Sequence, residues 1–192
     1  FEAWQKTATR LGIAFSEQDN EALKGVNRVD SLRAILAMGN QEVSQETFDA
    51  LLEFKNKVYL DSISDLNQQA LLPGVMNLLN LAKSKGIKIG LGSSSKNAHM
   101  ILNRLNISGF FEVVIDGNGV SDPKPHPEVF LNGAKALGFL SSECLVFEDA
   151  LSGVAAAKAG GFMTIGVGNP SLLNIVDVYV NDLTEFRLEE YA

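Results

Sequence analysis

The sequence predicts an α/β protein: a parallel, doubly wound sheet covered by helices on both faces, preceded by a small helical bundle. Three observations carry this. Residues 1 to about 71 show only helix-period apolar spacing. From Pro73-Gly74 onward, short β-branched runs alternate with helix-period segments, the pattern of parallel strands joined by crossover helices. A chain of 192 residues that is 46% hydrophobic can bury one good core, or one core plus a small satellite. The expected division is 1–71 helical and 72–192 α/β.

In chain order, the opening "FEAWQKTATRL" places Phe1, Trp4, Ala8 and Leu11 on one helical stripe. Gly12 ends it, and a short helix follows near Glu17–Leu23. The polar stretch "KGVNRVDS" reads as a loop. A third helix carries Leu32, Ile35 and Leu36 and stops near Gly39-Asn40. Ser44 is placed to cap a long fourth helix with Phe48, Leu51, Leu52, Tyr59 and Ile63 on one side. In the second part, "IKIGLG", "EVVID", "CLVFE", "FMTIGV" and "DVYV" read as strands. Helices lie around Val75–Ala82, Ile101–Leu105, Pro127–Leu137 and Leu151–Gly160.

The net charge is −7, and no cluster of lysines and arginines stands out, which argues against a nucleic-acid partner. No apolar run approaches membrane-spanning length and no signal peptide is visible, so a membrane is not expected. Cys144 is the only cysteine; it sits in an apolar strand and reads as an inert thiol, consistent with a reduced, cytoplasmic setting.

Sites in such sheets form at the carboxyl ends of the strands. After "IKIGLG" come Ser93, Ser94, Ser95, Lys96 and Asn97, donors that suit an anion, although the serines taken alone read first as a helix cap. After "EVVID", Lys124 stands between Pro123 and Pro125, which restrict the backbone and present the ammonium stiffly. After "CLVF" come Glu148 and Asp149, two adjacent carboxylates that are costly to bury unpaired and that suit a hard cation such as Mg²⁺. A hydroxyl, a stiff lysine and paired acids on successive strand ends are the parts phosphoryl transfer needs. No "GxxxxGK[ST]", "GxGxxG" or "GxSxG" occurs.

"LGSSSKN", "DPKPHPEVF" and "VFEDALSGVAAAKAGG" resemble the second, third and fourth motifs of the haloacid dehalogenase superfamily, whose core is a Rossmann-like sheet. "LKGVNRVDSL", the "FEAW" opening and "IGVGNP" resemble the β-phosphoglucomutase family within it. The resemblance implies a Mg²⁺-dependent phosphotransferase that interconverts β-glucose 1-phosphate and glucose 6-phosphate, or else a sugar-phosphate phosphatase on the same scaffold, with the helical bundle as a cap. Ser93 would donate to the transferring phosphoryl group, Lys124 would balance charge, and Glu148 and Asp149 would hold Mg²⁺. Ser95, Lys96 and Asn97 would bind the non-transferring phosphate. Lys24, Gly25, Val26, Asn27, Arg28 and Ser31 would touch the sugar phosphate, with Trp4 near the sugar. Lys55 lies on the apolar face of its helix, where a lysine either snorkels to solvent or turns inward to bind phosphate.

The family's nucleophile belongs to a "DxDG" stretch on its first core strand, and residues 1–192 contain none. The expectation is therefore that roughly twenty further residues precede Phe1, enough for a strand, a turn and a helix start. The slot between "IKIGLG" and "CLVFE" should be filled by another segment or the sheet rearranged. Residues 1–192 by themselves should transfer no phosphate. The chain should be a monomer, or associate through that slot.

Overall fold

The structure, a computed structural model, describes residues 1–191. It divides into two compact units, Phe1–Asp65 and the chain from Leu66 onward. The division thus falls earlier than the expected 71/72. Leu71 packs with Val75, Leu79 and Leu102, so the residues before Pro73 already belong to the second unit's core.

The first unit holds four helices: α1 (Glu2–Arg10), α2 (Glu17–Leu23), α3 (Arg28–Met38) and α4 (Gln45–Ser62). Three of their starts are set by side-chain caps. Ser16 Oγ accepts from the Asp19 N–H while the Asp19 carboxylate accepts from the Ser16 N–H, a reciprocal box. Asn27 and Ser44 accept from the N–H of Asp30 and of Thr47. Trp4, Ala8, Leu23, Leu32, Ile35, Leu36 and Leu51 form the core. Phe1, expected on the buried stripe, is instead exposed and stacks on Phe15. The "KGVNRVDS" stretch is a loop only as far as Asn27; Arg28 through Ser31 form the first turn of α3, because Asn27 caps it.

The second unit alternates α5 (Val75–Ser84), β1 (Gly90–Gly92), α6 (Ala98–Arg104), β2 (Val113–Ile115), α7 (Glu128–Leu137), β3 (Leu145–Glu148), α8 (Leu151–Ala159), β4 (Met163–Val167) and β5 (Val178–Val180). All strand pairs are parallel, as predicted. The strands form two ladders, β1–β2 and β3–β4–β5, rather than one sheet. β1 is also half the length expected. The Ile89 N–H donates to the Glu112 carboxylate, so a side chain takes up a backbone donor just ahead of the ladder.

Small residues let α8 lie close to its sheet: Gly153, Val154, Ala156 and Ala157 are all buried. β4 is the most buried strand, with Thr164, Ile165 and Gly166 inside. The Asp177 carboxylate, just before β5, accepts from both the N–H (2.7 Å) and the Oγ1 (2.6 Å) of Thr164, which is fully buried. These bonds hold the Asp177 carboxyl below the usual carboxylate range. A depressed carboxylate stabilises the fold above its unfolded value, near 3.9, and the contribution is lost as pH falls through the folded value. Asp177→Ala should therefore cost about 1–3 kcal/mol at pH 7, since it leaves a buried N–H without its partner. Urea denaturation should show the gap from wild type closing towards pH 3.

Candidate active site

β1 and β3 end side by side in chemistry if not in a shared ladder. Lys124, on the loop after β2, is buried, and its Nζ donates to Glu148 Oε1 at the end of β3 and to the Gly92 carbonyl (3.2 Å) at the end of β1. It also lies over the Phe130 ring, 4.5 Å from the centroid. The sequence left open whether this lysine was an exposed loop residue; it is an interior one. An ammonium has three donors, so two are committed and one is available.

Glu148 is held from the other side as well. Its Oε2 accepts from the N–H groups of Asp149 (3.1 Å) and Ala150 (3.3 Å) at the start of α8, where no side chain caps the helix. Those two N–H groups lie just ahead of the first turn of the helix, where they have no intrahelical partner, and the carboxylate satisfies them. The carboxylate fits only because residue 153 is glycine: a Cβ there would stand 2.0 Å from Glu148 Cδ and Oε1. Gly153 carries no chemistry of its own, and sequence reasoning passed over it. Asp149 is exposed, and its carbonyl accepts from Asn169 Nδ2 (2.9 Å), which ties the "IGVGNP" loop to the acid pair. Asn169 was also missed, although it lies inside a motif already singled out.

Ser93 continues the β1–β2 ladder, its N–H donating to the Ile115 carbonyl (2.9 Å). Its Oγ accepts from the Ser95 N–H, and Ser95 Oγ accepts from the Asn97 N–H, both at 3.1 Å. Each hydroxyl oxygen thus shapes a turn, while its own proton remains a donor. Lys96 is exposed. The loop is braced by Gly117, whose missing side chain allows backbone contact: a Cβ would lie 2.5 Å from the Ser94 carbonyl oxygen. The structure therefore brings together Lys124, Glu148 and the Gly92–Ser93 strand end, with Asp149 next in the chain.

In the helical unit, Arg28 Nη2 donates to Asn56 Oδ1 (2.7 Å). Lys55 Nζ sits 4.8 Å from the ring centroids of both Trp4 and Tyr59. Burial, with the Arg28 charge adding to it, pulls the Lys55 amine down to about 8. Trp4 is buried in the bundle core, and its ring also faces this amine. Lys24, by contrast, is exposed and paired with Glu21 (2.7 Å). Gly25 turns the chain at φ +74° and Val26 is half-buried beside it. Asn27 caps α3. Ser31, expected to touch a ligand, is buried, and its hydroxyl donates to the Asn27 carbonyl (2.8 Å); the first helical turn points it inward.

Asp122, His126 and Glu128 also approach one another, with potential ligand atoms within 4.8 Å. Glu128 accepts from the N–H groups of Ser121 and Asp122, which lowers its carboxyl and makes it a brace for the loop. The half-buried Cys144 has its thiol pushed up by burial, in keeping with an inert role.

Gly153→Ala should displace Glu148 and break its pairing with Lys124. Breaking a buried ion pair costs on the order of 3–5 kcal/mol, so urea denaturation should show a loss of that size. A variant as stable as the wild type would mean that the carboxylate turns aside freely.

Residues 1–161 match the haloacid dehalogenase-like hydrolase family. The chain is 37% identical to the β-phosphoglucomutase of Bacillus subtilis over 98% of its own length and 84% of that protein's. It is 31% identical to a phosphorylated carbohydrates phosphatase of Thermotoga maritima, over 86% of this chain and 75% of that one. Among solved structures, the β-phosphoglucomutase of Clostridium difficile superposes with a TM-score of 0.94 at 38% identity, covering 98% of this chain and 86% of that one. The matched span takes in the Ser93, Lys124 and Glu148-Asp149 strand ends together with the helical unit, and the chain belongs to the haloacid dehalogenase-like hydrolases, with β-phosphoglucomutases among its relatives.

Proposed function

We propose that this chain is the phosphosugar-binding and metal-holding part of a Mg²⁺-dependent phosphotransferase. The reaction is the interconversion of β-glucose 1-phosphate and glucose 6-phosphate through an aspartyl-phosphate and a sugar bisphosphate. One observation carries the choice of a mutase over a simple phosphatase: the helical unit holds two half-buried cations, Arg28 and Lys55, that enter no ion pair among the described residues. A reaction that passes through a sugar bisphosphate needs grips for two phosphates, and these cations are suited to one of them.

The roles follow from the donors left over. Ser93 Oγ accepts from Ser95, so its proton is free for a phosphoryl oxygen. Lys124 has one N–H beyond those given to Glu148 and Gly92, and directs it at incoming negative charge. Ser95, Lys96 and Asn97 take the other phosphate of a bisphosphate. Two carboxylates against one ammonium leave the β3 end net negative, and an all-oxygen donor set of that charge fits a hard divalent cation. Glu148 and Asp149 would hold Mg²⁺, which when bound neutralises phosphoryl oxygens. The nucleophile of this chemistry is not among residues 1–192, which hold no Asp-x-Asp. These residues alone bind without transferring. The setting is cytoplasmic, and among the described residues no helix is long and apolar enough to cross a membrane.

The phosphatase reading has its own support in the Thermotoga maritima relative. Assaying the protein made from its complete reading frame, with β-glucose 1-phosphate and a bisphosphate primer, separates the two: glucose 6-phosphate is the expected product, and inorganic phosphate as the main product would favour the phosphatase. Arg28→Ala should lower mutase flux by roughly 10- to 100-fold, the worth of one charge-assisted contact of about 1.5–3 kcal/mol, and spare hydrolysis of p-nitrophenyl phosphate.

A further inference from the structure

Three side chains of the helical unit, Asn56, Trp4 and Tyr59, meet around its two half-buried cations, and none of them is acidic. Arg28 comes from α3 and is held by the Asn56 amide oxygen at 2.7 Å. Lys55 from α4 lies between the Trp4 ring of α1 and the Tyr59 ring one turn along α4, 4.8 Å from each. The same unit pairs three of its exposed cations with acids, Lys6 with Glu2, Lys24 with Glu21 and Arg33 with Asp30, while the exposed Arg10 lies over the Phe54 ring. Those pairs are exposed, where a counter-ion contributes little. Arg28 and Lys55 are the more buried cations, where desolvation makes a counter-ion most valuable, yet they have neutral partners.

We propose that Asn56 and Tyr59 are positioning residues that fix Arg28 and Lys55 through neutral groups, so that both cations keep their full charge for a dianionic phosphate ester. The inference rests on the phosphate-binding reading of Arg28 and Lys55. An amide oxygen suits Arg28, because it accepts from the guanidinium as a carboxylate would, with the same reach, but leaves its charge uncancelled. A phenol and an indole suit Lys55, since ring faces attract an ammonium without neutralising it. Burial raises the Tyr59 hydroxyl above its ordinary value, so the ring stays uncharged through the working range. The cost is mutual repulsion of the two cations, already visible as the Arg28 charge acting on Lys55. A bound phosphate relieves it.

The decisive variant is Asn56→Asp, which keeps the shape and adds one negative charge. Binding of glucose 6-phosphate to the protein made from its complete reading frame, with Mg²⁺ withheld, is measured by calorimetry from pH 7 to 10, where the ester remains a dianion and the amine of Lys55 titrates. In the wild type, affinity should fall as pH rises through about 8. Asn56→Asp should weaken binding at pH 7 by about 10-fold, the worth of one charged contact, and move the inflection upward, because the new carboxylate favours the protonated amine. A merely structural role would not shift that inflection. Tyr59→Leu should also weaken binding, and Tyr59→Phe should restore most of it by returning the ring. If Asn56→Asp does not fold, Asn56→Ser, which withdraws the acceptor without adding charge, should still weaken binding. Native affinity and an unmoved inflection in Asn56→Asp, beside lost binding in Arg28→Ala, would overturn the positioning role and leave the phosphate site standing. Native affinity in both Arg28→Ala and Lys55→Met would overturn both.

Discussion

The buried pair of Lys124 and Glu148 is the contact on which the α/β unit turns. Taking both charges out of water costs several kcal/mol per ion, and their attraction repays it only with good geometry and satisfied hydrogen bonds. The fold supplies each of these. The Gly92 carbonyl and the Phe130 ring complete the ammonium's surroundings, two backbone N–H groups complete the carboxylate's, and Gly153 makes room for it. Because β1 and β3 share no ladder, this side-chain bridge is what joins their carboxyl ends. Removing one member would leave the other charge buried and alone.

The two units treat their cations in opposite ways. In the α/β unit an acid neutralises the buried lysine, and the acid next to it leaves a net negative charge at the strand ends, suited to a metal. In the helical unit the half-buried cations Arg28 and Lys55 keep neutral company, and the local charge stays positive. Each choice is costly within its unit, and each is the one expected of the metal and phosphate binding proposed above.

Much of the fold was legible because its signals are local. Ser44, Gly12, Pro73-Gly74 and the alternation of apolar runs with helix-period segments act within a few residues, so element order and type follow from them. The strand-end chemistry was legible for a related reason: in a parallel α/β fold the topology delivers residues after each strand to one edge, so Ser93, Lys124 and Glu148 could be grouped from their places after successive strands. Local signals also misled. "KGVNRVDS" looks like a polar loop, but Asn27 caps a helix there, and one helical turn carries Ser31 inside. The "IKIGLG" run suggests a six-residue strand, and a side-chain acceptor, Glu112, takes one of its donors.

What the sequence determined by itself is which residue types stand at the strand ends and helix starts, since capping, turns and periodicity depend on neighbours in the chain. What only tertiary structure decided is which charges meet. Lys124 could have faced solvent, and it faces Glu148, 24 residues away, because α8 approaches closely over Gly153. Arg28 could have paired with an acid, and it meets Asn56, 28 residues away, across two packed helices. Electrostatic partnership depends on distance and burial, and neither is encoded by spacing along a chain.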